Sequence, residues 1–319
     1  MQLKTDVAVK LRHCLTAMLD GCTIVHKKGK EMKTGAVCYI DLLGFSYLTR
    51  NVNNKKNEPI IRRYIKTFHN AVYESLRKTK IHHVILSDAI FLYTDTEIDN
   101  LLFSLSQIFR TCIMKGVLLR GGMTYGEYDV LSTKLLGNNI FGSAVTKAVE
   151  YEKSGKGCRI FIDSDFPTHC ELFNESSVLF TPYKNFSDYS VLDIFEWPLI
   201  NKKYVFRLSD SDYKNLPNNN IRELLLANHK ISDFLGWSPL FKWNDSCIEG
   251  TRQVNSTIEY ITTLIDKILE YTDIIDREIL EVDSIVKIKK RNNETVSNLN
   301  KLRYLKIITE RQRLTPAST

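Results

Sequence analysis

The sequence predicts an α+β fold whose core runs strand, helix, strand, strand, helix, strand, and three observations predict it. An apolar run from Ala36 to Ile40 ends at Asp41. Residues 83 to 93 form two apolar runs broken by Ser87 and Asp88. Two longer stretches carry apolar residues at helical spacing. An unbroken apolar run suits a strand buried on both faces, whereas i, i+3, i+4, i+7 spacing suits a helix with one buried face.

The run 36 to 40 is the first strand and delivers Asp41 at its C-terminal end. Ile61, Tyr64, Ile65, Phe68, Val72 and Leu76 then mark a helix, with Pro59 near its start, where a missing N–H does least harm. Residues 83 to 93 read as a hairpin whose turn carries Asp88. Ile98, Leu101, Leu102, Leu105, Ile108, Phe109, Cys112 and Ile113 predict a second helix that stops at Gly116. A strand from Val117 continues through Gly121 and Gly122 to Tyr125. This is the split βαβ order of a ferredoxin-like core, in which the first strand and the hairpin lie side by side at the sheet centre. Asp41 and Asp88 are thereby expected to converge.

A helix from Ser143 to Glu152 and a strand from Cys158 to Asp163 extend the core, and strand-like runs follow at 178 to 183 and 189 to 197. The expected organisation is an N-terminal helical segment over 1–33, a main domain over 34–208 and a mostly helical C-terminal region over 209–319. Ser209 to Asn220, rich in Ser, Asp and Asn, reads as the linker. Ile258, Ile261, Ile265, Ile268, Ile275, Ile279 and Val282 lie mostly three and four apart. Coiled-coil pairing and burial against the protein's own core both stay open for them.

At 319 residues, 43% apolar and with only 7 prolines, the composition excludes a disordered or low-complexity chain. Seven widely spaced cysteines with no C-x-x-C pair indicate neither a disulfide framework nor a zinc knuckle, and fit a reducing cytoplasm. No apolar run approaches the roughly 18 to 20 residues that span a bilayer, so a soluble, cytoplasmic protein without a membrane partner is expected. The net charge of +7 gathers near the C-terminus, in Lys287, Lys289, Lys290, Arg291, Lys301, Arg303, Lys306, Arg311 and Arg313. A solvated helical face accounts for it, and no nucleic-acid partner is expected.

Two carboxylates at a sheet centre are what a pair of divalent ions needs to bridge a nucleoside triphosphate. Gly44, three residues after Asp41, allows a tight turn that points N–H groups at an anion. Tyr39-Ile40-Asp41-Leu42-Leu43-Gly44-Phe45-Ser46 resembles the opening motif of class III nucleotidyl cyclases, and Leu86-Ser87-Asp88-Ala89-Ile90-Phe91 resembles their metal-binding hairpin. Arg120 to Glu127 is similar to their Arg-x-Gly strand, and Ile140-Phe141-Gly142 through Glu150 to the helix entry after it. The resemblance spans about residues 34 to 165 and implies a class III cyclase catalytic core. It also implies two Mn²⁺ or Mg²⁺ ions per site on Asp41 and Asp88, with the Leu42 carbonyl as a further ligand. The backbone N–H groups of Leu43, Gly44, Phe45 and Ser46 would hold the triphosphate of a nucleoside triphosphate substrate, and a homodimer would carry the sites at its interface.

Departures from the family pattern are informative. The two purine-reading positions are Val84 and Asn139, so neither the adenine nor the guanine pattern is present, and valine cannot hydrogen-bond a base edge. The transition-state arginine of Asn-x-Ala-x-Arg falls on Glu150, leaving Lys147 or Lys153 as substitutes. The compact chain and the Ser-Asp hairpin look most like the bacterial Pycsar antiphage cyclases. That likeness implies cyclic UMP or cyclic CMP as product and a separate effector protein that the product activates. A purine cyclase and an inactive cyclase-like sensor are the alternatives. Neighbouring strand residues point to opposite faces, so His82 and His83 are not expected to share a metal. Ser143 reads as a helix cap, and Trp197, Trp237 and Trp243 as core or contact residues.

Overall fold

The structure is a computed structural model. It describes residues 31–50, 58–133, 137–170, 180–184 and 191–199, together with 250, 252, 253, 255–261, 263 and 297. In chain order the elements are β1 (Lys33–Leu42), α1 (Phe45–Arg50), α2 (Glu58–Leu76), β2 (His82–Ile85), β3 (Ala89–Thr94), α3 (Ile98–Ile113) and β4 (Leu119–Thr133). They continue with β5 (Gly137–Phe141), α4 (Ser143–Lys153), β6 (Ile160–Ile162), β7 (Phe180–Lys184) and β8 (Val191–Phe195), with short 3₁₀ turns at Phe166–His169 and Trp197–Leu199. The expected α+β order is present, and the strands join in the sequence β2-β3-β1-β4-β6-β8-β7.

β1 is central, antiparallel to β3 on one side and to β4 on the other. Its alternate residues serve two cores. Ala36, Cys38, Ile40 and Leu42 face α2 and α3, where Tyr64, Phe68, Leu101, Leu105 and Phe109 are buried. Val37 faces a smaller cluster with Phe91, Tyr93, Tyr128 and, from α4, Ala144 and Ala148. Burial on both faces explains why the strand reads as one apolar run.

The α2 stripe buries Tyr64, Phe68, Val72 and Leu76, as its spacing predicts. Gly116, at φ +73°, ends the turn after α3, and its carbonyl accepts a hydrogen bond from the Tyr64 hydroxyl at 3.1 Å. α4 is the crossover that lets β6 run parallel to β4. Beyond it β6, β8 and β7 form the extension read from the two late strand-like runs.

Four details differ from the sequence reading or fall outside the described residues. β5 was not expected: Gly-Asn-Asn-Ile-Phe lacks strand composition, and the strand exists because β4 runs on to Thr133 and turns back against itself, pairing Asp129 with Phe141. α4 is capped by Gly142, at φ +131°, and not by Ser143, whose side chain is exposed. β1 runs from Lys33 to Leu42 and so extends the expected strand, Ala36 to Ile40, at both ends. The linker at 209–220, Trp237, Trp243, the basic C-terminal residues and residues 1–30 lie outside the described residues.

Residues 255–261 are helical, and Ile258, Tyr260 and Ile261 are buried in the main core. For these positions burial against the protein's own core is the reading that holds. Among the described residues Cys38, Cys112, Cys158 and Cys170 are free thiols, buried, and no helix is long and apolar enough to cross a membrane.

Candidate active site

The sheet register builds the site. Asp41, next to last in β1, faces Ala89 on β3 and Arg120 on β4. Asp88 immediately precedes Ala89 in the hairpin turn, and its carbonyl accepts the Leu42 N–H at 3.1 Å. In-register residues sit about 5 Å apart across a ladder and about 3.8 Å apart along a chain, so the two Cα atoms are at most about 9 Å apart. A turn closed by Leu86 N–H donating to the Ala89 carbonyl at 2.9 Å holds Asp88 in place, and the Ser87 hydroxyl donates to its carboxylate at 2.6 Å.

Asp41 shares its face of the sheet with α4. Burial, then the Glu152 carboxylate and then Asp88 push its carboxyl up to about 7, against the Arg120 guanidinium and the Leu42 N–H, which pull it down. The same acids and burial push the Tyr39 phenol up to about 12, so it stays protonated beside them. The Tyr39 ring packs on Phe91 with centroids 4.8 Å apart. Three carboxylates against one guanidinium leave this end of the sheet net negative.

Sequence reasoning missed Glu152 and gave Arg120 no role. Arg120 forms an ion pair with Glu152 and donates through Nη1 to the Gly155 carbonyl at 3.3 Å. The signal for Glu152 was its spacing: Ala144, Ala148 and Glu152 are the buried residues of α4, one stripe four residues apart.

The turn after β1 has Gly44 at φ +82°, a conformation that glycine adopts without strain. Of the four expected phosphate-binding N–H groups, that of Leu43 is taken by the Leu118 carbonyl at 3.0 Å; Gly44 immediately precedes α1, and Phe45 and Ser46 open it. Leu42 lies in the β1–β4 ladder opposite Leu119.

Of the base-reading pair, Val84 is half-buried on β2 and packs in the Asp41-side cluster. Ile140, the neighbour of Asn139, is the β5 residue in that cluster, while Asn139 is exposed. Alternation along β5 therefore directs Asn139 and Val84 to different faces. Lys147 lies 4.0 Å from Asp163, whose carboxylate also accepts hydrogen bonds from Thr124 at 2.7 Å and Tyr151 at 2.6 Å. That draws Lys147 toward β6 and away from the Asp41 end of the sheet. Lys153 is exposed. His82 stacks on Tyr93, whereas His83 lines a cavity of about 430 Å³ between α2 and β2, so the two imidazoles do diverge. Trp197 is buried and donates to the Cys158 carbonyl at 3.2 Å.

No protein-family model matches the chain, and no curated protein does. Solved structures do show likeness. The guanylate cyclase domain of RhGC from Catenaria anguillulae in complex with GTP is 12% identical with a TM-score of 0.43, over 52% of this chain and 97% of that one. The adenylyl cyclase CyaB from P. aeruginosa is 11% identical with a TM-score of 0.42, over 56% and 98%. The guanylyl cyclase Cya2 is 14% identical with a TM-score of 0.40, over 57% and 100%. At that distance the likenesses assign neither family nor activity.

Proposed function

We propose that this protein is a nucleotide cyclase that converts a pyrimidine nucleoside triphosphate, UTP or CTP, to its 3′,5′-cyclic monophosphate and pyrophosphate. What supports the reading is the register that sets Asp41 opposite Ala89, the residue after Asp88, with burial, Glu152 and Asp88 together raising the Asp41 carboxyl to about 7. Uncompensated negative charge of that kind is relieved by a cation, so the donor set fits Mn²⁺ or Mg²⁺. Among the described residues no group of three or more His, Cys, Asp or Glu side chains is arranged to hold a metal by itself. Two carboxylates completed by substrate phosphates are the usual arrangement for Mg²⁺. When bound, the ions would acidify the ribose 3′-hydroxyl and offset phosphate charge.

The chain's own residues supply position. Asp41 and Asp88 would hold the ions, with the Leu42 carbonyl beside them, and the N–H groups of Gly44, Phe45 and Ser46 would face the phosphates. The ribose 3′-hydroxyl gives up its proton to water, its oxygen forms a bond to the α-phosphorus as the bond from that phosphorus to the β-phosphate bridging oxygen breaks, and pyrophosphate leaves. Val84 has no hydrogen-bonding group and so supplies neither the adenine nor the guanine contact, and the choice of a pyrimidine rests on the motif resemblance. A homodimer, and a cyclic pyrimidine messenger that activates a separate effector during phage defence, complete the proposal on the strength of the motif resemblance alone.

The test is incubation of the purified protein with ATP, GTP, CTP and UTP plus Mn²⁺, with products identified by chromatography. A cyclic pyrimidine monophosphate is expected, lost in Asp41→Ala and in Asp88→Ala. Turnover of purines alone would overturn the base assignment, and nucleotide binding without turnover would leave a sensor.

A further inference from the structure

Arg120 lies in the site yet has no part in the chemistry above. It faces Asp41 across the β1–β4 ladder. Its side chain is 13% exposed and its partner Glu152 only 3%. Buried ion pairs are weak sources of stability, because removing two charges from water costs about as much as their attraction returns. An apolar pair would close the β4–α4 contact as well, so this pair needs another reason.

The geometry points to one. Arginine beside a buried carboxylate is the strongest natural competitor for a cation at that carboxylate, since both satisfy the same charge. The Arg120 guanidinium is engaged by two acceptors on the C-terminal turn of α4 and just beyond it, the Glu152 carboxylate and the Gly155 carbonyl. That turn is itself anchored. The Gly157 N–H donates to Gln253 at 2.7 Å, the Cys158 N–H to Thr257 at 2.9 Å and the Ser256 hydroxyl to the Lys156 carbonyl at 3.0 Å. Gly122 brings α4 close enough for this, because its missing Cβ leaves room for the Ala148 carbonyl and the Glu152 backbone nitrogen.

We propose that Glu152 is a positioning residue that holds the Arg120 guanidinium away from Asp41, so that the Asp41 carboxylate stays open to a divalent cation. Glu152 acts through Arg120 and touches neither substrate nor metal. The inference rests on the reading of Asp41 and Asp88 as metal carboxylates.

The experiment is Mn²⁺ binding to the full chain without nucleotide, followed by the electron paramagnetic resonance signal of free Mn²⁺. Glu152→Gln frees Arg120 to pair with Asp41, and the Mn²⁺ dissociation constant is expected to rise about tenfold. Adding Arg120→Gln to it removes the competitor and restores binding to near the wild-type value, a coupling that simple loss of packing does not produce. Unchanged binding in Glu152→Gln, or a double variant no better than the single one, overturns the proposal. If Glu152→Gln does not fold, Arg120→Lys asks the same question, because one ammonium cannot span both Glu152 and Gly155 as the fork does. Mn²⁺ binding weakened in Arg120→Lys supports the proposal, and unchanged binding overturns it. Wild-type protein whose Mn²⁺ binding is indifferent to Asp41→Asn would sink the metal-site reading itself, a result distinct from failure of the Glu152 argument.

Discussion

Asp41 carries the clearest consequence at the scale of a single residue. Its folded-state carboxyl is raised from an ordinary 3.8 to about 7, so the folded chain binds more protons than the unfolded one between those values. Stability from this group is therefore present below about pH 4 and is lost as pH rises to about 7. Asp41→Asn removes the uncompensated charge and is expected to stabilise the metal-free protein at pH 8 by on the order of 2 kcal/mol, a discounted figure for a partly exposed group at about 1.4 kcal/mol per pH unit. The gain should shrink toward pH 4, and thermal unfolding at both pH values checks it. The same sign predicts that Mn²⁺ binds more tightly as pH rises through 7, because bound metal displaces the Asp41 proton. Titrations at pH 6 and pH 8 read that directly.

Among the elements, the contact between β4 and α4 decides the shape of the site. Gly122 on β4 faces the Ala148 carbonyl and the Glu152 backbone nitrogen so closely that an added Cβ would strike both backbones. Gly122→Ala is expected to destabilise the fold by roughly 3 kcal/mol, since backbone on both sides has to move. A shift in urea midpoint with an unchanged slope would establish it. Much of this level was legible in the chain. The α2 and α3 stripes and the Ser-Asp hairpin are written in local spacing, and each stands where spacing put it. β5 was not legible, because two asparagines and a glycine carry no strand signal, and only the return of β4 against itself supplies its partner.

At the scale of the whole molecule, the helical residues 255–261 belong to the core of the sheet. Ile258 is fully buried, the Tyr260 hydroxyl donates to the Phe195 carbonyl at 3.3 Å, and Arg159 lies between the Tyr183 and Tyr260 rings with its Nη2 on the Ser256 carbonyl. Ile258→Ala leaves a cavity in that packing and is expected to cost about 2 to 5 kcal/mol, measurable by denaturant unfolding. A segment serving only to pair two subunits would instead show a change in association state with little change in unfolding. The isoleucine spacing alone admitted both readings, since a helix stripe does not say which surface covers it.

What the sequence by itself determined is local: most of the strands and helices, that Asp41 lies at the C-terminal end of one strand, and that Asp88 sits in a hairpin turn. Those follow from period and turn chemistry, which act over a few residues. Tertiary structure alone decided which side chains meet. Register set Arg120 opposite Asp41, the close approach of α4 brought Glu152 to Arg120, and alternation along β5 turned Ile140, not Asn139, toward Val84. Cross-strand and helix-on-sheet neighbours depend on a register that shifts every side chain to the other face when it slips by one residue, and no one-dimensional spacing records it.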